Sequence, residues 1–299
     1  MPLRGLPTSM ATRTMAEYTD EYFTNPDGLK QHYRDYNRAG EDAPVVLCMP
    51  GLTRNARDFE AIAEHLSDRC RVICVEQRGR GFSDWDPMPS RYRPVTYVAD
   101  MMALLKHLGV GKVIAIGTSL GGLMTIMIQA MHPGTLMAAV INDIGPDIDP
   151  KGIDRIKSYV GKGTPPQTWQ EAIDAVKTAN AGVYPNFTEE DWRWYTGNLY
   201  DDLDGKPALM YDPAISQNFD SDETQAAPDL WPFFQAMYSI PVVALRGGLS
   251  DILSAETLER MAEKHPDLVP VTVDGIGHVP LMNEPKCMKA IDDLVARFL

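Results

Sequence analysis

The chain has 299 residues, with 41 Asp and Glu against 28 Lys and Arg, a formal charge of −13 at pH 7. A chain of this length buries about three-quarters of its unfolded surface, so it needs neither disulfides nor a metal to complete a core. A composition that is 44% hydrophobic and 23% charged excludes a disordered chain, and the acidic balance argues against a nucleic acid or an anionic membrane as partner, since both require clustered Lys and Arg.

Residues 1–18 contain no apolar run of the kind that targets a chain for secretion and are expected to be a flexible lead-in. From there the pattern predicts strands Glu21–Thr24 and Leu29–Tyr36, joined as a hairpin around Asn25-Pro26-Asp27-Gly28. The predicted order continues with strand Val45–Met49, helix Ala56–Leu66, strand Arg71–Val75, a Gly-rich loop Gln77–Phe82 and helix Val95–Leu108. Strand Lys112–Ile116, helix Leu120–Met131 and strand Ala138–Asn142 complete this half. The uncharged stretch Val113–Met131 is interrupted by Gly117-Thr118-Ser119-Leu120-Gly121-Gly122, which splits it into a strand and a buried helix where a bilayer span needs one unbroken helix.

Short apolar strands alternating with helices predict an α/β fold with a doubly wound, mostly parallel sheet covered on both faces. The alternation stops near Asp149. Helices are expected at Gly152–Val160, Thr168–Asn180 and Glu189–Asn198, the last opened by Thr188 with Asp191 three residues on, close to a capping box. It resumes with strand Ile240–Leu245, helix Ala255–Lys264, strand Leu268–Val273 and helix Leu281–Phe298. The expected organisation is therefore a core at 19–149 and 231–299, interrupted by a helical insertion at 150–230. Trp169, Trp192 and Trp194 fall inside that insertion and Trp231 at its exit, as packing anchors or as the walls of an apolar pocket.

The four cysteines (Cys48, Cys70, Cys74, Cys287) form no Cys-x-x-Cys pair and read as reduced structural residues, which fits a cytoplasmic setting. No His, Cys, Asp and Glu grouping has metal spacing, and the Gly-rich stretches lack a Walker lysine or a dinucleotide fingerprint, so no cofactor is expected.

Chemistry is best carried by Ser119. It sits in Gly-x-Ser-x-Gly between an apolar strand and an apolar helix, where a sharp turn requires glycine on both sides and the helix N-terminus favours negative charge. The base is expected to be His278, in the loop Asp274-Gly275-Ile276-Gly277-His278 after the last strand. His65, His107, His132 and His265 lie at helix ends and His32 in a polar strand, all structural positions. The acid is expected to be Asp251, in Arg246-Gly247-Gly248-Leu249-Ser250-Asp251, with Asp143 after strand Ala138–Asn142 as its rival. The chain order Ser119, Asp251, His278 matches nucleophile, acid and base in α/β-hydrolases.

These motifs, with Pro50-Gly51-Leu52-Thr53 after the third strand and Glu76-Gln77-Arg78-Gly79-Arg80-Gly81-Phe82-Ser83-Asp84 after the fourth, resemble the α/β-hydrolase superfamily with a helical cap. In particular they are similar to serine carboxylesterases and enol-lactonase-like hydrolases, over nearly all of residues 19–299. The resemblance implies an oxyanion hole from the backbone N–H groups of Leu52 and Leu120. It also implies hydrolysis of small to medium, uncharged carboxylic esters through an acyl-enzyme, by a monomer or homodimer acting on a small molecule. The acidic charge adds a mild preference for neutral substrates, which an arginine at the site could reverse. The family usually has His-Gly where this chain has Pro50-Gly51, so the bonds that fix the loop must differ. Cleavage of a C–C bond in a vinylogous diketone, or opening of an enol-lactone, is the alternative on the same residues and calls for an arginine near Ser119. A non-catalytic ligand receptor is a further one. Arg78, Arg80 and Asp84 are expected to brace their loop, with Arg78 a candidate for contact with a substrate carboxylate.

Overall fold

The structure, a computed structural model, describes residues 17–220 and 229–299. The expected lead-in at 1–18 lies outside the described residues except for its last two positions, as does the 221–228 part of the expected insertion.

The chain opens with the antiparallel pair β1 (Thr19–Thr24) and β2 (Lys30–Tyr36), followed by β3 (Val45–Met49), α1 (Glu60–Leu66), β4 (Arg71–Val75) and α2 (Pro94–Leu108). β5 (Val113–Thr118), α3 (Leu120–Met131) and β6 (Leu136–Asn142) come next. Then follow α4 (Pro150–Tyr159), α5 (Trp169–Asn180), α6 (Glu189–Leu199), the small hairpin β7 (Tyr200–Leu203) with β8 (Lys206–Leu209), α7 (Gln217–Asp220) and α8 (Trp231–Gln235). The chain ends with β9 (Val242–Gly247), α9 (Ala255–Lys264), β10 (Leu268–Val273) and α10 (Pro285–Val295).

Eight strands form one sheet in the order β1-β2-β4-β3-β5-β6-β9-β10, parallel from β4 onward, with β2 antiparallel to both its neighbours. The central strands read as continuous apolar runs because both of their faces are covered. Along β3, Leu47 and Met49 join one core with α2 and α3, while Val46 and Cys48 join another with α1 and α10. β4 and β5 divide in the same alternating way, as a two-residue side-chain period requires. All four cysteines are buried and unpaired within these layers.

β6 and β9 are neighbours in the sheet, yet α4 to α8 lie between them in sequence. This intervening segment has its own cluster, Ile173, Val176, Val183, Tyr184, Trp192 and Tyr195, in which Tyr184 stacks on Phe187 at 4.4 Å between ring centroids. Thr188 and Asp191 close the expected capping box at the start of α6. The hairpin β7–β8 is an addition to the expected helices. Its turn, Asp204-Gly205, has both residues at positive φ, the backbone that two-residue hairpins require.

The last helix starts at Pro285 rather than Leu281. The preceding residues form a turn in which the Leu281 N–H donates to Glu284 Oε1, and proline then supplies the first helical position. Among the described residues, no helix is long and apolar enough to cross a membrane.

Candidate active site

β5 runs straight into Ser119, which adopts φ 50°, ψ −111° before α3 begins at Leu120. A non-glycine residue in that left-handed region is strained, and the neighbouring glycines show why the turn tolerates it. A Cβ on Gly121 would lie 1.9 Å from the Met49 carbonyl oxygen, and one on Gly117 would lie 2.3 Å from that of Gly121. Strand β3, strand β5 and the first turn of α3 thus approach more closely than any side chain allows. The Ser119 N–H donates to the Asn142 carbonyl at 2.8 Å, which ties the turn to the end of β6.

His278 lies across from it. Its Nε2 is 2.8 Å from Ser119 Oγ and its Nδ1 is 2.7 Å from Asp143 Oδ2. Asp143 is fully buried, and its carboxylate also accepts the Gly247 N–H at 2.7 Å and the Ser250 hydroxyl at 2.6 Å. With the carboxylate fixed by two other donors, a neutral His278 carries its proton on Nδ1 and presents Nε2 as an acceptor to the serine.

The expectation that Asp251 orients the imidazole is therefore corrected. Asp251 receives Arg155 of α4, with Nε to Oδ2 at 2.5 Å and Nη2 to Oδ1 at 2.8 Å. Burial would raise its pKa, but the bonds and charge of Arg155, together with the charge of His278, outweigh that, and the carboxyl sits below its ordinary value. The physical reason is placement. Asp143 follows directly on β6, the strand beside β5, and its φ of 57° turns the chain there. Asp251 lies four residues past the end of β9, beyond a turn closed by Ser250 N–H to the Gly247 carbonyl.

The loop of His278 is held from both sides. Gly277 N–H donates to the Val183 carbonyl at 2.7 Å, the Tyr184 hydroxyl to the Val279 carbonyl at 2.8 Å, and Asn142 Nδ2 to the Pro280 carbonyl at 2.9 Å. Burial pushes the Tyr184 hydroxyl well above the ordinary tyrosine range, so it stays a donor.

The loop after β3 faces Ser119, and its fixing bonds take the place of those implied by the usual His-Gly. Gln77 Nε2 donates to the Pro50 carbonyl at 3.2 Å, and Arg80 Nε to the Leu52 carbonyl at 2.8 Å. Leu52 lines the cavity above Ser119. Leu120 is the first residue of α3, whose opening N–H groups have no partner within the helix. Leu52 on the β3 loop and Leu120 at the start of α3 thus both border the serine.

Arg78 is not at the site. It is buried among Asp27, Asp86 and Asp100, with bonds of 2.6 to 2.8 Å. Asp84 instead caps the start of β2 through the Lys30 N–H. Both brace the loop, as expected, and the suggested contact of Arg78 with a substrate is removed.

A cavity of about 100 Å³ lies over Ser119 and His278. Its walls include Ile156, Tyr159, Tyr184, Trp194 and Tyr195 from the intervening segment, and Arg54 and Asp58 from the core. Trp194 is thus the one of the four singled-out tryptophans on the wall. Trp192 packs in the segment's own cluster, while the indole N–H groups of Trp169 and Trp231 bind Asp202 and Asp147. Sequence reasoning did not single out Arg54, although it directly follows the Gly51-Leu52-Thr53 loop assigned to the oxyanion hole.

A parallel sheet with a serine at a strand-to-helix elbow, a histidine on the loop after the last strand and an acid at a strand end defines a hydrolase. The chain belongs to the α/β hydrolase fold family, whose model matches residues 44–285. Over 271 residues it is 32% identical to the 3-hydroxybutyrate-oligomer hydrolase of Cupriavidus necator, covering 87% of this chain and 91% of that one. It is 31% identical to the 2-(acetamidomethylene)succinate hydrolase of Mesorhizobium japonicum, covering 84% and 88%. Among solved structures, an α/β hydrolase from Novosphingobium aromaticivorans superposes with a TM-score of 0.89 at 43% identity, over 95% of this chain and 99% of that one.

Proposed function

We propose that this hydrolase cleaves carboxylic esters through an acyl-enzyme, with Ser119 as nucleophile, His278 as general base and Asp143 as the orienting acid. The observation that carries the reading is the continuous line from Ser119 Oγ to His278 Nε2 at 2.8 Å and from His278 Nδ1 to Asp143 at 2.7 Å, beneath the cavity.

His278 Nε2 takes the hydroxyl proton as Ser119 Oγ attacks the ester carbonyl. The negative charge that develops on the carbonyl oxygen meets the N–H groups of Leu52 and Leu120, each worth about 3–4 kcal/mol to a tetrahedral intermediate. His278 returns its proton to the alcohol oxygen as the C–O bond breaks. Water then enters, gives its proton to His278 and releases the acid, restoring the serine. Asp143 holds the ring and stabilises its transient cation. Helices α4 to α6 and their connections serve as the cap that walls the cavity.

The 3-hydroxybutyrate-oligomer hydrolase supports ester chemistry, because such an oligomer is joined by ester bonds. Replacing Ser119 with Ala tests the reading. Turnover of short p-nitrophenyl esters is expected to fall by at least about 10³-fold, with no acyl adduct in the mass spectrum of the quenched variant. Ester turnover unchanged by that substitution refutes it.

C–C bond or enol-lactone hydrolysis remains a second reading, favoured by the presence of Arg54 on the cavity wall. It predicts turnover of a vinylogous diketone acid or enol-lactone that exceeds turnover of esters of equal size.

A further inference from the structure

We infer that Arg54 is a specificity-determining residue that holds a single carboxylate of the substrate. The inference rests on the reading of Ser119 as the ester-cleaving nucleophile and adds a substrate class to it: short esters that end in one carboxylate.

The position comes first. A Cβ on Gly51 would lie 3.4 Å from Arg54 Cγ and 3.8 Å from Ser119 Cβ, so the stem of the arginine and the nucleophile flank the same glycine. Among the residues lining the cavity, Arg54 is the only arginine or lysine. Nearby cations are committed elsewhere. Arg155 binds Asp251, and Arg57 binds the carbonyls of Gly197 and Tyr200 and the carboxylate of Asp201.

The guanidinium is held in one orientation. Its Nε donates to Asp58 Oδ2 at 2.6 Å, its Nη2 donates to the other oxygen, and its carbon stands 4.4 Å over the Tyr195 ring. Burial works against the charge, but Asp58, with Tyr195 and Tyr184 beside it, more than compensates and holds the Arg54 pKa above the ordinary arginine value. Nη1 remains, buried and without a hydrogen-bond partner among the described residues. A buried donor left unpaired is destabilising, and a ligand acceptor removes that penalty. The acceptor that pairs best with a fixed guanidinium edge is a carboxylate oxygen.

Asp58 limits the charge of that ligand. It already neutralises one side of Arg54 and lines the same cavity, so a second negative group on the substrate would face it across a site with low access to water. A cavity of about 100 Å³ restricts the size further.

The test compares mono-p-nitrophenyl succinate with p-nitrophenyl butyrate. The unmodified protein is expected to favour the succinate by at least tenfold in kcat/KM. Arg54→Gln, and the double variant Arg54→Gln/Asp58→Asn that leaves no unpaired carboxylate, are expected to lose at least ten times more activity on the succinate than on the butyrate. Arg54→Lys is expected to retain part of the preference. A preference that is the same in the unmodified protein and both Arg54→Gln variants overturns the inference while the ester reading stands. A separate arm measures binding of monomethyl succinate to Ser119→Ala by calorimetry, with binding expected there and at least tenfold weaker in Ser119→Ala/Arg54→Gln. Binding that survives the loss of Arg54 also overturns the inference. Arg54-dependent binding without hydrolysis of either ester supports the carboxylate anchor and refutes the ester reading.

Discussion

His278 and Asp143 share a 2.7 Å hydrogen bond, while Asp251, at the other strand end with an acid, is bound by Arg155 of α4. Two carboxylates within electrostatic range of one imidazole thus have different roles: one orients the ring, the other joins the core to the intervening segment. Asp143→Asn keeps the size of the side chain but makes it an acceptor on one atom and a donor on the other, which favours the wrong imidazole tautomer. The expected loss in kcat is about 10⁴-fold, as for other serine triads. Asp251→Asn is expected to lower kcat by less than tenfold. Measured kcat values for the two variants check this, and a larger loss in Asp251→Asn reverses the assignment.

Arg80 acts at one remove from the chemistry. It donates to the Leu52 carbonyl and to the Tyr97 hydroxyl, and it is completely buried. In the proposed mechanism, losing the bond to Leu52 frees the loop whose N–H stabilises the oxyanion. Since an oxyanion donor acts only on the transition state, the loss should fall on kcat rather than KM. Arg80→Met is expected to lower kcat by about 10- to 100-fold with KM changed less than threefold, and Arg80→Lys to recover part of the loss. A KM effect larger than the kcat effect would assign Arg80 to substrate binding instead.

The sheet was legible because its strands are short apolar runs and its turns carry glycine where backbone must meet backbone. The meeting of Ser119 with His278 was legible because each lies in a motif whose local geometry, an elbow and a loop after the last strand, determines where the side chain emerges. The acid was not, because Asp143 and Asp251 both follow strands that neighbour in the sheet, and choosing between them needs the path of the chain after β9. Arg155 also counts in that choice, and it lies 96 residues from Asp251 in sequence. The β7–β8 hairpin was missed for a different reason. Tyr200-Asp201-Asp202-Leu203 carries too little apolar patterning to read as a strand, although the Asp204-Gly205 turn is a strong hairpin signal by itself.

Tyr184 links the intervening segment to the His278 loop through its hydroxyl and the Val279 carbonyl. Tyr184→Phe removes the donor and leaves the ring stacked on Phe187. The neighbouring bond from Gly277 N–H to the Val183 carbonyl still anchors the loop, so the effect should be moderate. The expected result is about 1 kcal/mol lost in urea unfolding together with a three- to tenfold lower kcat. Equal stability loss with an unchanged kcat would show that this bond supports the fold without positioning the base.

The Arg155–Asp251 pair should also make itself felt in the pH dependence of stability. Burial raises the Asp251 pKa, but the bonds and charge of Arg155 together with the charge of His278 lower it further, so its folded pKa lies below the ordinary carboxylate value near 4. The native state then holds fewer protons than the unfolded one around that value, and the stabilisation is present above it and lost as pH falls through the folded pKa. Because the pair is partly exposed to solvent, its contribution is expected to be only about 1 kcal/mol. Urea unfolding of the unmodified protein and of Asp251→Asn should therefore differ by that amount at pH 7, by the same amount at pH 5.5, and by progressively less below about pH 4. A difference that widens on acidification would mean that the folded state raises the Asp251 pKa, contrary to the role assigned to Arg155.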